Sequence, residues 1–288
     1  MKVILAEYSG FCFGVKRAVD MARQSAEEVK GKVYSYGELI HNAQVVRLLE
    51  KEGIDVVDEV KSADDGSLII RSHGVPKSVL EDAENRGIGI IDATCPFVKK
   101  IQKIVHQKAK EGYHILILGD RMHPEVIGIN GWCENAAEIA GSLQELAAAG
   151  MKKGKYAVVA QTTLSVSLFK ELESELCRRI PDAEIYNTIC TATYERQESV
   201  RRLAQKVDAM VIVGGKKSSN TKKLAEIASL YCPSYLIETE EEIDRKQMKR
   251  YKTLGVTAGA STPDFVIEQV IESLENLNCQ ENQVSSSP

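Results

Sequence analysis

Short runs of apolar residues alternate along the chain with longer segments in which apolar positions recur every three or four residues. Runs such as HILIL, YAVVA and AMVIV are five residues long and read as strands buried on both faces. In the segment that follows Cys95, Val98, Ile101, Ile104 and Val105 make one stripe, with Lys99, Lys100, Lys103 and Lys108 between them, which predicts an amphipathic helix. Strands alternating with helices imply parallel sheets covered by helices, so the expected fold class is α/β.

The pattern also repeats. SGFCFGVKRAVDMARQ, DATCPFVKKIQKIVHQKA and NTICTATYERQESVRRLAQK each place a cysteine in a short turn just before a helix, at Cys12, Cys95 and Cys190. After each helix comes a strand ending in a glycine and a polar site. Gly37 to His41, Gly119 to His123 and Gly215 to Ser219 are all four residues apart. A further strand then closes each unit with a second polar turn, in LIIRSHGVPKS, YAVVAQTTLS and TLGVTAGAST. Ser78, Ser165 or Ser167, and Thr262 are the expected caps of the helices that follow. The cysteines lie 83 and 95 residues apart, about one repeat each. A pseudo-threefold arrangement would bring them together at the carboxyl ends of parallel strands, where α/β folds bind ligands. The expected units are 1–95, with the N-terminal strand and the Cys12 turn, then 96–190 and 191–280, with a disordered tail over 281–288.

Composition narrows the class. Apolar residues at 43% and charged ones at 27% are ordinary for a soluble globular protein, and 288 residues suffice for two or three units. Lysine plus arginine total 37 against 41 acidic residues, a net charge of −4, which gives no electrostatic reason to expect a nucleic-acid partner. Only four consecutive apolar residues precede Glu7, too few for a signal peptide or a membrane span, so a cytoplasmic protein is expected. Seven cysteines with no CxxC pair fit a reducing compartment. Cys133, Cys177, Cys232 and Cys279 fall outside the repeated turns and are assigned to packing or surface, and His106 and His114 are not nominated.

Three cysteines without a nearby fourth fit a zinc site completed by a histidine, an iron-sulfur cluster with one open iron, or core packing. Structural zinc usually draws on close pairs, which are absent here, whereas a cluster accepts thiolates from separate loops. The repeat register therefore favours the cluster. His41, His73 and His123 occupy the polar turns, with Ser218, Ser219, Asn220 and Ser261 in the third unit. With backbone N–H groups at helix starts, these suit a polyanion such as a diphosphate. Lys216 and Lys217 are read as solvated. Glu125, two residues after His123, is a candidate proton shuttle or a surface glutamate. Thr162 and Thr163 either meet a substrate hydroxyl or cap the next helix. A sensing module built on the same cluster, and a structural zinc protein with a phosphate site, are the rival readings.

As a set, GFCFGVKRA, GELIHN, RSHGVP, DATCP, HPEV, AQTTLS, NTIC, SSNT and GAST resemble the 4-hydroxy-3-methylbut-2-enyl diphosphate reductase family of the non-mevalonate isoprenoid pathway, over the chain up to about Cys279. The resemblance implies a trefoil of three α/β units around a [4Fe-4S] cluster bound by Cys12, Cys95 and Cys190, found as [3Fe-4S] or lost after exposure to air. It implies that the fourth iron takes the substrate hydroxyl. His41, His73, His123, Ser218, Ser219, Asn220 and Ser261 would hold the diphosphate, Glu125 would supply protons, and Thr162 would bind substrate on the proton path. A ferredoxin or flavodoxin would deliver two electrons one at a time. Loss of the hydroxyl as water would give isopentenyl or dimethylallyl diphosphate.

Overall fold

The structure is a computed structural model that describes residues 1–277, so Cys279 and the tail expected over 281–288 lie outside the described residues. The chain opens with strand β1 (Lys2–Leu5) and helix α1 (Phe13–Glu28), followed by β2 (Lys32–Tyr36), α2 (Ala43–Lys51), β3 (Ile54–Val57), β4 (Gly66–Ile70), α3 (Lys77–Asn85) and β5 (Gly89–Asp92). Next come α4 (Pro96–Lys110), β6 (His114–Leu118), α5 (Pro124–Asn130), β7 (Glu138–Ala140), α6 (Leu143–Ala148), β8 (Tyr156–Ala160), α7 (Val166–Arg179) and β9 (Glu184–Tyr186). The last stretch holds α8 (Thr191–Ala204), β10 (Ala209–Val213), α9 (Ser219–Ser229), β11 (Ser234–Ile237), α10 (Arg245–Met248), β12 (Thr253–Ala258) and α11 (Asp264–Asn276).

The strands form three parallel four-stranded sheets, ordered β3-β2-β4-β5, β7-β6-β8-β9 and β11-β10-β12-β1. The α/β class and the three equivalent repeats expected from the sequence are thus observed. Central strands such as β8 and β10 are buried along their whole length, as their continuous apolar runs require. In α4 the stripe of Val98, Ile101 and Val105 is buried, and Ile101 and Val105 pack with Ile115, Ile117 and Ile129. The lysine face stays outside.

One expectation needs correction. β1 does not join the sheet of residues 32–92; it pairs with β12 in register, Lys2 with Thr253 through Leu5 with Val256. In that sheet β1 takes the edge place that β5 and β9 take in the other two, so each repeat is shifted by one strand along the chain. A four-residue apolar run carries no information about its partner, which is why the sequence misassigned it.

The chain divides into two compact units. One comprises Met1–Cys12, His41–Ala43 and residues 191–277, and holds the β1-containing sheet. The other, Phe13–Ile40 with Gln44–Cys190, holds the remaining two sheets, joined by the Trp132 indole, which donates to the Val75 carbonyl at 3.1 Å. Among the described residues no helix is long and apolar enough to cross a membrane.

Candidate active site

Each of the three repeated cysteines stands immediately before a helix: Cys12 before α1, Cys95 as the N-cap of α4, and Cys190 before α8. Their backbone amides are held alike. Cys12 N–H donates to the Ala260 carbonyl at 3.1 Å, Cys95 to Ser72 at 3.0 Å and Cys190 to Thr162 at 3.2 Å. Each acceptor lies two residues past the end of a central strand, β12, β4 or β8. The same turn chemistry therefore fixes the backbone at all three cysteines, and all three are half-buried.

Gly14 supplies a second constraint. A Cβ there would lie 2.6 Å from the Cys95 sulfur, so the first turn of α1 approaches Cys95 only because this position is glycine. The positive end of a helix favours an anionic thiolate, and half-buried thiols from three separate turns are a donor set suited to an iron-sulfur cluster. These residues fit the group the sequence suggested, with space kept for the Cys95 sulfur.

In the Phe13–Cys190 unit, Glu125 is 2% exposed. Its carboxylate accepts from the Thr162 backbone N–H and from the Thr162 hydroxyl, both at 2.6 Å. Burial pushes its pKa up to about 6, against the lowering effect of the two Thr162 bonds. Thr162 thus faces two ways, donating to Glu125 and offering its carbonyl to Cys190. Gln161 fixes this turn, accepting from Asp120 N–H at 3.0 Å and donating to the Thr163 hydroxyl at 3.0 Å. The capping role considered for Thr162 and Thr163 is not what forms, since Ser165 holds the N-cap position of α7.

His123 is the N-cap of α5, its Nδ1 accepting the Glu125 N–H at 3.1 Å. An Nδ1 that accepts leaves the neutral ring's proton on Nε2, where it can be donated to a ligand. The His73 ring stands edge-on to it with centroids 5.4 Å apart. That proximity follows from the close approach of α5 to the turn after β4, where a Cβ on Gly128 would lie 3.2 Å from the Gly74 carbonyl carbon.

In the other unit, the His41 carbonyl accepts from the Ser261 hydroxyl at 3.2 Å and lies 2.5 Å from where a Gly215 Cβ would be. Ser218 caps α9, its hydroxyl accepting from Thr221 N–H, and Ser219 begins that helix. Asn220 is 4% exposed, yet neither its amide oxygen nor its nitrogen has a hydrogen-bond partner. A buried amide without a partner at a helix start suits a polar ligand, and an anion is what that end of a helix prefers. Counted from the strand ends, the position matching His41 and His123 is Ser218, five residues past β10, rather than Ser219.

Of the expected caps only Ser165 takes an N-cap position. Pro76 and Pro263 occupy the N-cap positions of α3 and α11, Ser165 caps without a hydrogen bond to the helix, and Thr262 donates instead to the Val213 carbonyl at 3.0 Å. Cys133 is buried, Cys232 half-buried and Cys177 exposed, consistent with packing or surface. Sequence reasoning missed Arg196. It is 5% exposed and donates to the Gly10 and Ala192 carbonyls at 2.7 and 3.0 Å, fixing the chain just before Cys12. Its signal was its register, three residues after buried Thr193 and four before buried Val200.

Comparison with known proteins shows the family. The family model described as LytB protein matches residues 3–275. A protein of Alkaliphilus oremlandii named 4-hydroxy-3-methylbut-2-enyl diphosphate reductase is 50% identical over 280 residues, covering 96% of this chain and 100% of its own. One of the same name from Aquifex aeolicus is 42% identical, covering 99% of each chain. The solved reductase of Plasmodium falciparum superposes with a TM-score of 0.90 at 30% identity, covering 94% of this chain and 87% of its own. A second solved structure, described as the terminal enzyme of the non-mevalonate pathway, gives a TM-score of 0.69 at 41% identity, covering 96% of this chain and 100% of its own. The chain belongs to the LytB family.

Proposed function

We propose that this chain is a cytoplasmic reductase that removes the hydroxyl of 4-hydroxy-3-methylbut-2-enyl diphosphate to give isopentenyl and dimethylallyl diphosphate. The relatives carry that name. The observation that carries the reading here is Thr162, which links a buried, proton-holding carboxyl at Glu125 to the backbone of Cys190. A sensor has no use for a proton donor fixed next to a metal ligand.

Cys12, Cys95 and Cys190 would hold the [4Fe-4S] cluster, which when bound supplies electrons singly and polarises an oxygen as a Lewis acid. His73 and His123 donate to the diphosphate, with His41, Ser218, Ser219, Asn220 and Ser261 completing its partners. The Asn220 amide gains in the ligand the partners it lacks in the protein. Glu125, with a pKa near 6, is protonated often enough near neutrality to act as the acid, and Thr162 orients its carboxyl. The balance is two electrons and two protons. The C–O bond breaks, the hydroxyl leaves as water with one proton, and the second proton closes a C–H bond at one end of the allylic system or the other. A ferredoxin or flavodoxin would supply the electrons.

Two measurements test the reading. Protein purified without oxygen is expected to be brown, with iron and sulfide near four each per chain by the cluster stoichiometry; a colourless protein with one zinc and no sulfide sinks it. Glu125→Gln is expected to keep iron and diphosphate affinity while product formation drops roughly 10²- to 10⁴-fold, the span of general acid catalysis. Turnover like that of the wild type would remove Glu125 from the mechanism.

A further inference from the structure

Exposed aromatic rings are uncommon in this chain and unevenly placed. Among the described residues five are exposed: Phe13, Phe97, Tyr194, Tyr231 and Phe265. Three of these, Phe13, Phe97 and Tyr194, fall within four residues after one of the repeated cysteines. Single exposed apolar residues need no explanation. Exposed rings in the first helical turn after the cysteine in all three repeats, although at different positions of that turn, do.

Two of the three lie in the same compact unit and on neighbouring helix starts. Phe13 is the first residue of α1 and is 67% exposed, and Phe97 is the second of α4 and is 43% exposed. Gly14 against the Cys95 sulfur brings these two first turns together, and Arg17 of α1 ties them by donating to the Thr94 carbonyl at 3.3 Å. Behind the rings stand exposed Lys16 on α1 and exposed Lys100 and Lys103 on α4. Helical spacing puts Lys16 and Lys100 three residues beyond their rings, on the same faces. None of these three lysines is held in an ion pair. The neighbouring Lys99 is, to Asp92 at 2.6 Å, so Asp92 is already neutralised. The nearest carboxylate on this face of α1 is exposed Asp20, one turn beyond Lys16, and exposed Glu27 follows two turns further along. A local surplus of three lysines around two rings therefore stands out on a chain whose net charge is −4.

We propose that the exposed faces of α1 and α4 beside Cys95 are the docking surface for a small acidic one-electron carrier protein. The inference rests on the reductase reading, which consumes two electrons that no side chain of this protein supplies. Each docked carrier gives up one electron and leaves oxidised, so two dockings serve one turnover. The partner's chemistry follows from the surface. Apolar rings at the centre exclude water beside the thiolate-bearing turn, while lysines at the rim attract carboxylates and raise the encounter rate in low salt. The placement also keeps the electron's path short, since the first turns of both helices meet at Cys95.

The test compares two reductants on the anaerobically prepared holoenzyme: a reduced acidic [2Fe-2S] ferredoxin and dithionite-reduced methyl viologen, a small cationic dye that needs no docking. Phe97→Ala, Lys100→Glu and Lys16→Glu are expected to raise KM for the ferredoxin roughly tenfold, as rim charge changes do through association. Turnover with the dye and iron content should stay at the wild-type level. The wild-type KM for ferredoxin should rise with salt, and Lys100→Glu should flatten that dependence. Using variants on both helices keeps the test alive if one of them fails to fold. An unchanged ferredoxin KM in all three overturns the proposal. So does a parallel loss with ferredoxin and dye, which would put these side chains in the site itself. A wild-type protein that turns over with neither reductant refutes the reductase reading and takes the surface with it.

Discussion

At the scale of single residues the protein is organised around groups that are costly to bury. Glu125 holds its proton to about pH 6 because its surroundings exclude water, and the sign of the effect on stability follows. Its folded value lies above its unfolded one, so the stability it contributes is fully present below about pH 4.5 and is lost as pH rises through 6. The 1.5-unit gap between the ordinary 4.5 and about 6 corresponds to about 2 kcal/mol. Glu125→Gln is therefore expected to be more stable than the wild type at pH 8 by up to about 2 kcal/mol, with the difference gone near pH 4. Urea titrations at both pH values check this, and a difference that does not move with pH would mean that Glu125 is not ionising where its burial says it should. Asn220 makes the parallel case without charge. Its unpartnered amide is a burden on the unliganded fold, so Asn220→Leu should leave Tm unchanged or raised while calorimetry shows weakened diphosphate binding. A fall in Tm would show that the amide has a structural role instead.

At the scale of elements, what joins sequence to site is the turn after each central strand. Its second residue offers a carbonyl to a cysteine amide in all three repeats, and the same turns carry the polar chemistry, at Thr162 itself and at His73 and Ser261 one residue further on. Much of this was legible beforehand. Amphipathic spacing marked the helices, and cysteines at matched turns marked the repeat. What was not legible depended on backbone geometry that side-chain pattern does not encode. Serines and threonines near helix starts read as caps, yet prolines took those places before α3 and α11, since their fixed φ already suits a helix entry. Arg196 went unmarked because its neighbours in sequence are polar, although it lies on the buried side of α8 with Val200 and Leu203. Gly14 shows how finely the turns meet. Gly14→Ala puts a methyl 2.6 Å from the Cys95 sulfur, and the expected result is lower iron and sulfide per chain with an unchanged far-ultraviolet circular dichroism spectrum. Full iron loading in that variant would show that α1 can retreat from Cys95 without consequence.

At the scale of the whole molecule, the one-strand shift of the repeat sets an order of events. β1 is made first, yet its hydrogen-bonding partner β12 is made about 250 residues later, and both lie in the unit that also contains residues 191–277. Pairing across such a separation must wait for loop closure, whose entropy local contacts do not repay. β2, β4, β6 and β8 find their partners within one repeat and carry no such delay. Cys12 shares the wait, because its amide is held by Ala260 just beyond β12. Cys12 is thus expected to be positioned late, and the proposed cluster, needing all three thiols, would be fixed only after the C-terminal sheet is complete. Pulsed hydrogen exchange during refolding should therefore show the amides of Val3, Ile4 and Leu5 gaining protection together with those of β12, after the amides of β6 and β8. Protection of β1 before β12 would mean that the N-terminal strand first pairs elsewhere, and that the edge of the 209–258 sheet is filled by exchange rather than by direct docking.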